Sequence, residues 1–260
     1  MNMKKPADMT LTSRRTFLVS ATALSVGCVA RATTANAPTG VSAIVRPPAV
    51  GQSWRYAQHD YFTGAVVDAQ TDRVCMVDES IGVGSLFETA RGAPKIYPSW
   101  GDSWWRKYMG DAARSGGPIE IHRPWGMVVV DPHWSEMQSF EQAVPIWPLQ
   151  LRPGWKTTVE TDYMIPSSHE TMPWQLTMHA ERWESVTVPA GRFTALRCYN
   201  IIDFRFTNVS ERTAAQRIEH FWFVPEIGRW VRRDSVGTFR EDLGSDVKEN
   251  SYRWELLDWT

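Results

Sequence analysis

The sequence predicts a mainly β fold, a curved antiparallel sheet of half-barrel or open-barrel form, and three observations predict it. Runs that alternate apolar and polar residues recur from about residue 50 onward. Short clusters of Gly, Pro, Asn and Asp separate them at close spacing, as in hairpins, where a parallel sheet needs helix-length crossovers. The chain also carries 14 tryptophans among 260 residues, with 43% hydrophobic and 22% charged residues. Large amphipathic rings in that number suit packed sheet surfaces, interfaces or ligand platforms.

Ahead of the fold, the N-terminal segment reads as an address. A basic start with Lys4 and Lys5 leads into Ser13-Arg14-Arg15-Thr16-Phe17-Leu18 and then an apolar run too short to span a bilayer. That is the build of an export signal rather than a transmembrane helix. It resembles the twin-arginine export signal and departs from it at Val19, where lysine is usual. Gly27-Cys28 resembles the end of a lipoprotein signal, with Cys28 as the lipidated first residue, although Ser25 stands where a leucine is usual. Ala30-Arg31-Ala32 is a competing small-x-small site that releases a soluble protein. Three regions follow: a signal over 1–28, an Ala/Thr/Pro-rich tether over 29–48, and one β-rich domain over 49–260.

Charge and cysteine content narrow the classes. Formal net charge is −1, so no basic excess points to nucleic acid. Removing residues 1–27 takes four basic and one acidic residue from the 28 and 29 of the whole chain, leaving 24 against 28, or −4. Three cysteines exclude a disulfide-dense scaffold and a cysteine-based zinc ribbon. An oxidising compartment permits Cys75 and Cys198 to pair; as two buried free thiols they act as small hydrophobes.

Within the domain the elements follow in order. Segments 54–61 and 64–78 read as strands, and Ile81-Gly82-Val83-Gly84-Ser85 as a bend in or after one. Trp104, Trp105, Tyr108, Met109 and Ala112 recur at helical spacing, with Arg106, Lys107, Asp111 and Arg114 facing away. This predicts one short amphipathic helix near 102–115, capped by Asp102 and ended by Gly116-Gly117. Segment 119–130 is again strand-like, and Thr157 to Tyr163 alternates Val/Thr/Tyr with Glu/Asp. After a strand at 176–188, Leu196, Cys198, Asn200, Ile202, Phe204 and Phe206 share one face, with Arg197, Tyr199, Ile201, Asp203 and Arg205 opposite. Between these two strands lies Pro189-Ala190-Gly191-Arg192-Phe193. Proline sets φ and removes a donor, glycine permits positive φ, and no nucleophile or base is present, so this is a hairpin turn. Strands at 218–224 and 229–239 follow, and Tyr252, Trp254 and Leu256 face one side of a last strand, with Arg253 and Glu255 on the other.

Four stretches together carry a resemblance: Gly51-Gln52-Ser53-Trp54-Arg55-Tyr56, Pro148 to Trp155, the Val188 to Arg197 hairpin, and Val224 to Asp234. They resemble a group of uncharacterised Gram-negative envelope proteins, known as domains of unknown function with GxxWxY and VPAGxFxALR motifs. The resemblance covers roughly residues 50–260 and implies a curved sheet broadly similar to the half-barrel of the lipoprotein-carrier proteins. It implies no activity, since a shared fold does not transfer a function. The Trp-rich segment 99–134 lies outside the pattern.

Catalytic signatures are few. No GxSxG elbow occurs, and the GxG of residues 82–84 lacks the third glycine and the basic residue of a phosphate loop. His122, Asp131 and His133 flank the run 125–130 and offer two imidazoles and a carboxylate, a weak metal or hydrolytic candidate set against surface histidines. His179 and Glu181 point the same way along a strand, where a cross-strand salt bridge is the simpler reading. His220 reads as a partly buried ring. No cofactor is expected. The aromatic surplus remains: Trp100, Trp104, Trp105, Tyr108, Trp125 and Trp134 form the candidate ligand-binding set, walls of an apolar cavity or the filling of a packed core. The expectation is an exported bacterial protein, periplasmic or tethered to the envelope through an N-terminal lipid. It binds a hydrophobic or amphipathic ligand or a protein partner without catalysis; a structural subunit and a His/carboxylate hydrolase are the alternatives.

Overall fold

The computed structural model describes residues 38, 44–89, 119–133, 137–166, 169–204, 212–241, 246–248 and 251–260. The helix expected near 102–115 lies outside them, as do Cys28, Trp100, Trp104, Trp105, Tyr108 and Trp134. Every regular element among the described residues is a β-strand.

The chain begins as an antiparallel meander of β1 (Ser53–Asp60), β2 (Val66–Val77), β3 (Ile81–Thr89), β4 (Ile119–His122), β5 (Met127–Asp131) and β6 (Gln138–Pro145). It continues through β7 (Lys156–Ile165), β8 (Glu170–Val188), β9 (Gly191–Phe204), β10 (Arg212–Val224) and β11 (Arg229–Glu241). After the short β12 (Asp246–Lys248), β13 (Tyr252–Trp259) inserts between β1 and β11. Its ladder to β1 runs from Trp54↔Trp259 to Asp60↔Tyr252, and its ladder to β11 over Arg232–Ser235. The sheet therefore closes into a ring of twelve strands, with β12 extending the same edge of β11 at Thr238–Arg240.

Closure corrects the half-barrel or open barrel that the sequence predicts. Alternation reveals which face of a strand is apolar, but not that the first and last strands find each other. Two local readings change as well. Residues 81–85 belong to β3, and 119–130 is two strands joined by a tight turn, in which Arg123 N donates to Met127 O (2.7 Å) and Met127 N to Pro124 O (2.9 Å). The PAGRF stretch is the hairpin turn expected. Val188 pairs with Gly191 across the two-residue link Pro189-Ala190, and Gly191 takes φ 136°. Irregular registers at Arg55/Tyr56, Val74/Met76, Ala180/Arg182 and Trp222/Phe223 bend the strands, as curvature of a closed sheet requires.

Inside the ring, alternation supplies the core. Met172, Trp174, Leu176, Met178 and Ala180 of β8 and Leu196, Cys198, Ile202 and Phe204 of β9 all face inward and are buried. One end is filled by packed rings: Trp125 meets Trp147 edge-on at 5.1 Å, and Trp147 stacks on Phe223 at 4.9 Å. Outward positions hold exposed Arg55, Arg73, Lys156, Glu160, Arg182 and Arg192. On β8 and β9 that order, apolar within and charged without, is the reverse of an outer-membrane barrel. Cys75 and Cys198 stand as free thiols on β2 and β9, their Sγ atoms donating to Gly82 O (3.3 Å) and Leu196 O (3.6 Å). Burial pushes the ionisation of both upward.

Two glycines separate packing from backbone strain. Both have positive φ, but a Cβ on Gly126 meets the Trp147 ring at 2.6 Å, whereas one on Gly154 meets nothing within 4 Å. Gly154→Ala is expected to cost about 1 kcal/mol through its backbone alone, and Gly126→Ala about 3 kcal/mol through backbone and overpacking together. Urea unfolding measures both, and equal losses would show that the Trp147 ring does not abut Gly126.

Candidate functional site

Arg229 follows the turn at 225–228 and points into the lumen at the start of β11, with 2% of its surface exposed. Its Nη2 donates to Asp72 Oδ2 (2.8 Å) on β2 and its Nη1 to Glu120 Oε1 (3.1 Å) on β4, while the guanidinium carbon lies 5.2 Å from the Trp54 ring centre. Burial alone lowers the basicity of Arg229, but Glu120 and Asp72 outweigh it and raise it.

The two carboxylates extend the network along the wall. Asp72 Oδ1 accepts from Gln70 Nε2 and from Ser85 Oγ, both at 2.7 Å. Glu120 Oε1 also accepts from His122 Nε2 (2.7 Å), while Gly126 N donates to His122 Nδ1 (3.3 Å). His122 Nδ1 is thus an acceptor, and the ring donates to Glu120 through Nε2. His133 is held differently. Its Nδ1 lies 2.9 Å from Asp131 Oδ1 and 3.4 Å from Glu120 Oε2, and its Nε2 3.1 Å from Ser85 Oγ. Because the Ser85 proton already goes to Asp72, both nitrogens of His133 face acceptors and the ring is an imidazolium.

The ionisation shifts follow this geometry. For His133, burial lowers the pKa, but Asp131 and Glu120 outweigh it and hold it above the ordinary imidazole range. Glu120 is pushed up by burial and pulled further down by Arg229, His122 and His133, ending well below the usual carboxylate range. Asp131, opposed by burial and by Glu120, is still lowered by His133. Side-chain exposure rises outward through the cluster, from 0% at Asp72 and 7% at Glu120 to 14% at His133 and 21% at Asp131.

The structure thus brings together two of the three residues singled out in the sequence as a weak metal or hydrolytic set, Asp131 and His133, and links the third, His122, to them through Glu120. Of the candidate aromatics, the described Trp125 is a rung of the packed stack, 4.5 Å from His122 and 6.2 Å from Trp54. His179 and His220 lie on the outer wall on either side of Tyr199, at 5.4 and 6.0 Å, and Glu181 is ion-paired with Arg197 (2.8 Å). Sequence reasoning missed Asp72, Ser85, Glu120 and Arg229. The alternation Ile119-Glu120-Ile121-His122 carried a signal, because it places Glu120 and His122 on one face of a strand.

Two of the stretches that carry the sequence resemblance, 51–56 and 224–234, also meet here. Trp54 Nε1 donates to Ile227 O (3.0 Å), Tyr56 Oη donates to Trp230 O (3.0 Å), and the Tyr56 and Trp230 rings stack at 3.9 Å. The PAGRF turn bonds to β13 through Ala190 N and Leu256 O (2.9 Å).

No protein-family model and no curated protein matches the sequence. Among solved structures, the fold is similar to that of a "putative lipoprotein" from Parabacteroides distasonis, at 12% identity and a TM-score of 0.50 over 82% of this chain and 97% of that one. A "putative exported protein with YmcC-like fold" from Bacteroides fragilis gives 12% identity and a TM-score of 0.47 over 84% of this chain and 100% of that one. The "hypothetical lipoprotein YmcC" from Escherichia coli gives 9% and 0.37 over 80% and 84%. At such identities the likeness to the first is one of fold.

Replacing Arg229 by methionine keeps much of its volume but leaves Asp72 and Glu120 buried without their cation. The expected loss is about 3–5 kcal/mol, read by chemical denaturation at neutral pH. A loss below 1 kcal/mol would mean that the two carboxylates find other partners.

Proposed function

We propose that this chain is an exported protein of the bacterial cell envelope that binds an amphipathic ligand in its barrel and does no covalent chemistry. The observation that carries the binding reading is the mixed lining of the lumen. Around the lumen, Asn200 Oδ1 on β9, Trp174 Nε1 on β8, and Trp254 Nε1 and Arg233 Nε on the paired strands β13 and β11 are buried without hydrogen-bond partners. A dry core rarely tolerates several such atoms together. A ligand with an apolar body and a few polar groups satisfies them while keeping the rings covered.

The placement of protons speaks against catalysis. Ser85, His133 and Asp131 fall in line as nucleophile, base and orienting acid do, but Ser85 gives its proton to Asp72 and His133 has no lone pair to receive one. Export rests on the twin-arginine-like segment, with Cys28 as lipid attachment, and the similar solved protein described as a "putative lipoprotein" favours the same reading.

Three measurements test it. Native mass spectrometry of protein purified gently from the envelope should show a bound mass that solvent extraction identifies as amphipathic, and Asn200→Leu should deplete it; a bare protein mass would sink the ligand reading. A fluorophosphonate probe should leave Ser85 unlabelled, and labelling there would make the protein a serine hydrolase. Cys28→Ser should move the protein from membrane to soluble periplasm; unchanged membrane retention would remove the lipid anchor from the proposal.

A further inference from the structure

We propose that Glu120, Asp131 and His133, with Gln138 beside them, bind one divalent metal cation at the outer end of the buried charged network. One ligand atom from each of the first three lies within 4.8 Å of the others, the spread of donors about 2.0–2.5 Å from a common ion. The atoms left for it are defined by the network. Glu120 Oε1 is occupied by His122 and Arg229, so Oε2 is the free oxygen, and it faces His133 Nδ1 at 3.4 Å.

Gln138 supplies a second, independent observation. It is 2% exposed, and its Oε1 is buried with no donor to satisfy it. Gln138 lies directly across the β5–β6 ladder from Asp131. Cross-strand partners share a face, so the Gln138 side chain stands beside that of Asp131 on the lumen side. Leaving it unsatisfied is costly, and an amide oxygen is a good ligand for a hard or borderline cation.

The surroundings suit a metal centre. When a histidine binds a metal through one ring nitrogen, the other N–H is held by an acceptor that orients the ring. His133 Nε2 is held in this way by Ser85 Oγ, itself anchored on Asp72, and Glu120 is held by His122 and Arg229. Charge points the same way. With His133 neutral, three carboxylates (Asp72, Glu120, Asp131) face one cation, Arg229, and a divalent ion brings the sum to zero. On binding, the ion takes the place of the Nδ1 proton, which leaves to solvent. Carboxylate, amide and imidazole donors without a thiolate select ions such as Mn²⁺ or Zn²⁺ over Cu⁺. Asp131 and His133, the most exposed members of the cluster, give the ion its way in.

The test uses the protein purified from the envelope of its expressing host, stripped with EDTA and titrated calorimetrically with MnCl₂ and with ZnCl₂. One equivalent of at least one ion is expected to bind, with a raised melting temperature. Asp131→Asn should weaken it at least tenfold. Gln138→Leu should weaken it several-fold while leaving the metal-free melting temperature equal or higher, an outcome that a purely structural glutamine does not produce. Circular dichroism confirms that each variant is folded, and Gln138→Leu keeps the test decisive if Asp131→Asn is not. Failure of folded parent protein to bind either ion, or affinity unchanged in the folded variants, overturns the proposal.

Discussion

The buried guanidinium of Arg229 is the constraint on which the arrangement of the lumen depends. Backbone ladders join each strand only to its neighbours, whereas Arg229 reaches from β11 past β13 and β1 to β2 and β4. Its two hydrogen bonds position Asp72 and Glu120, and those two carboxylates then orient Ser85, His122 and, through them, His133. Taking such charges out of water costs several kcal/mol for each ion, which only close and multiple contacts offset. Each oxygen of Asp72, and Oε1 of Glu120, has at least one donor at hydrogen-bond distance. The geometry cannot drift without stranding a charge, and that rigidity is what a binding site requires of its walls.

Polar and apolar parts of the lumen are kept apart by aromatic rings. Trp54 lies beneath the guanidinium of Arg229 and donates to Ile227 O, so one side chain both faces the charge and pins the turn that delivers it. Tyr56 does the same one step along the strand, stacked on Trp230. The short motifs near residues 51–56 and 224–234 are thus two halves of one contact. Far apart in sequence, they converge because β13 draws β1 and β11 together.

The sequence showed much of the fold and little of the site. Alternation in Leu196-Cys198-Asn200-Ile202-Phe204 separated the two faces of β9 correctly, and the proline and glycine of PAGRF marked its hairpin. Asp68, Gln70 and Asp72 alternate just as clearly, yet in the opposite sense, because this strand turns its polar side inward. A period of two says that two faces differ; it does not say which faces water when the interior itself is charged. Glu120 and Arg229 were hidden for a related reason. Each looks like an ordinary surface charge until the ring closes and places 109 residues of separation within one hydrogen bond. His133 and Asp131 were visible as chemistry, but the partners that decide their protonation lie on three other strands.

Closure by β13 has a consequence for the timing of folding. The strand that seals the ring is made well after its partner β1, with Trp54 waiting for Trp259. Local hairpins from β2 to β10 can form as the chain emerges, but the most distant contact comes last, and its loop-closure entropy slows it. Until residues 252–259 have appeared, β1 and β11 are bare edges, able to pair with any other strand they meet. A nascent or shortened chain is therefore sticky where the finished one is sealed. Closure of the ring and burial of the Arg229 charge both wait on residues 252–259.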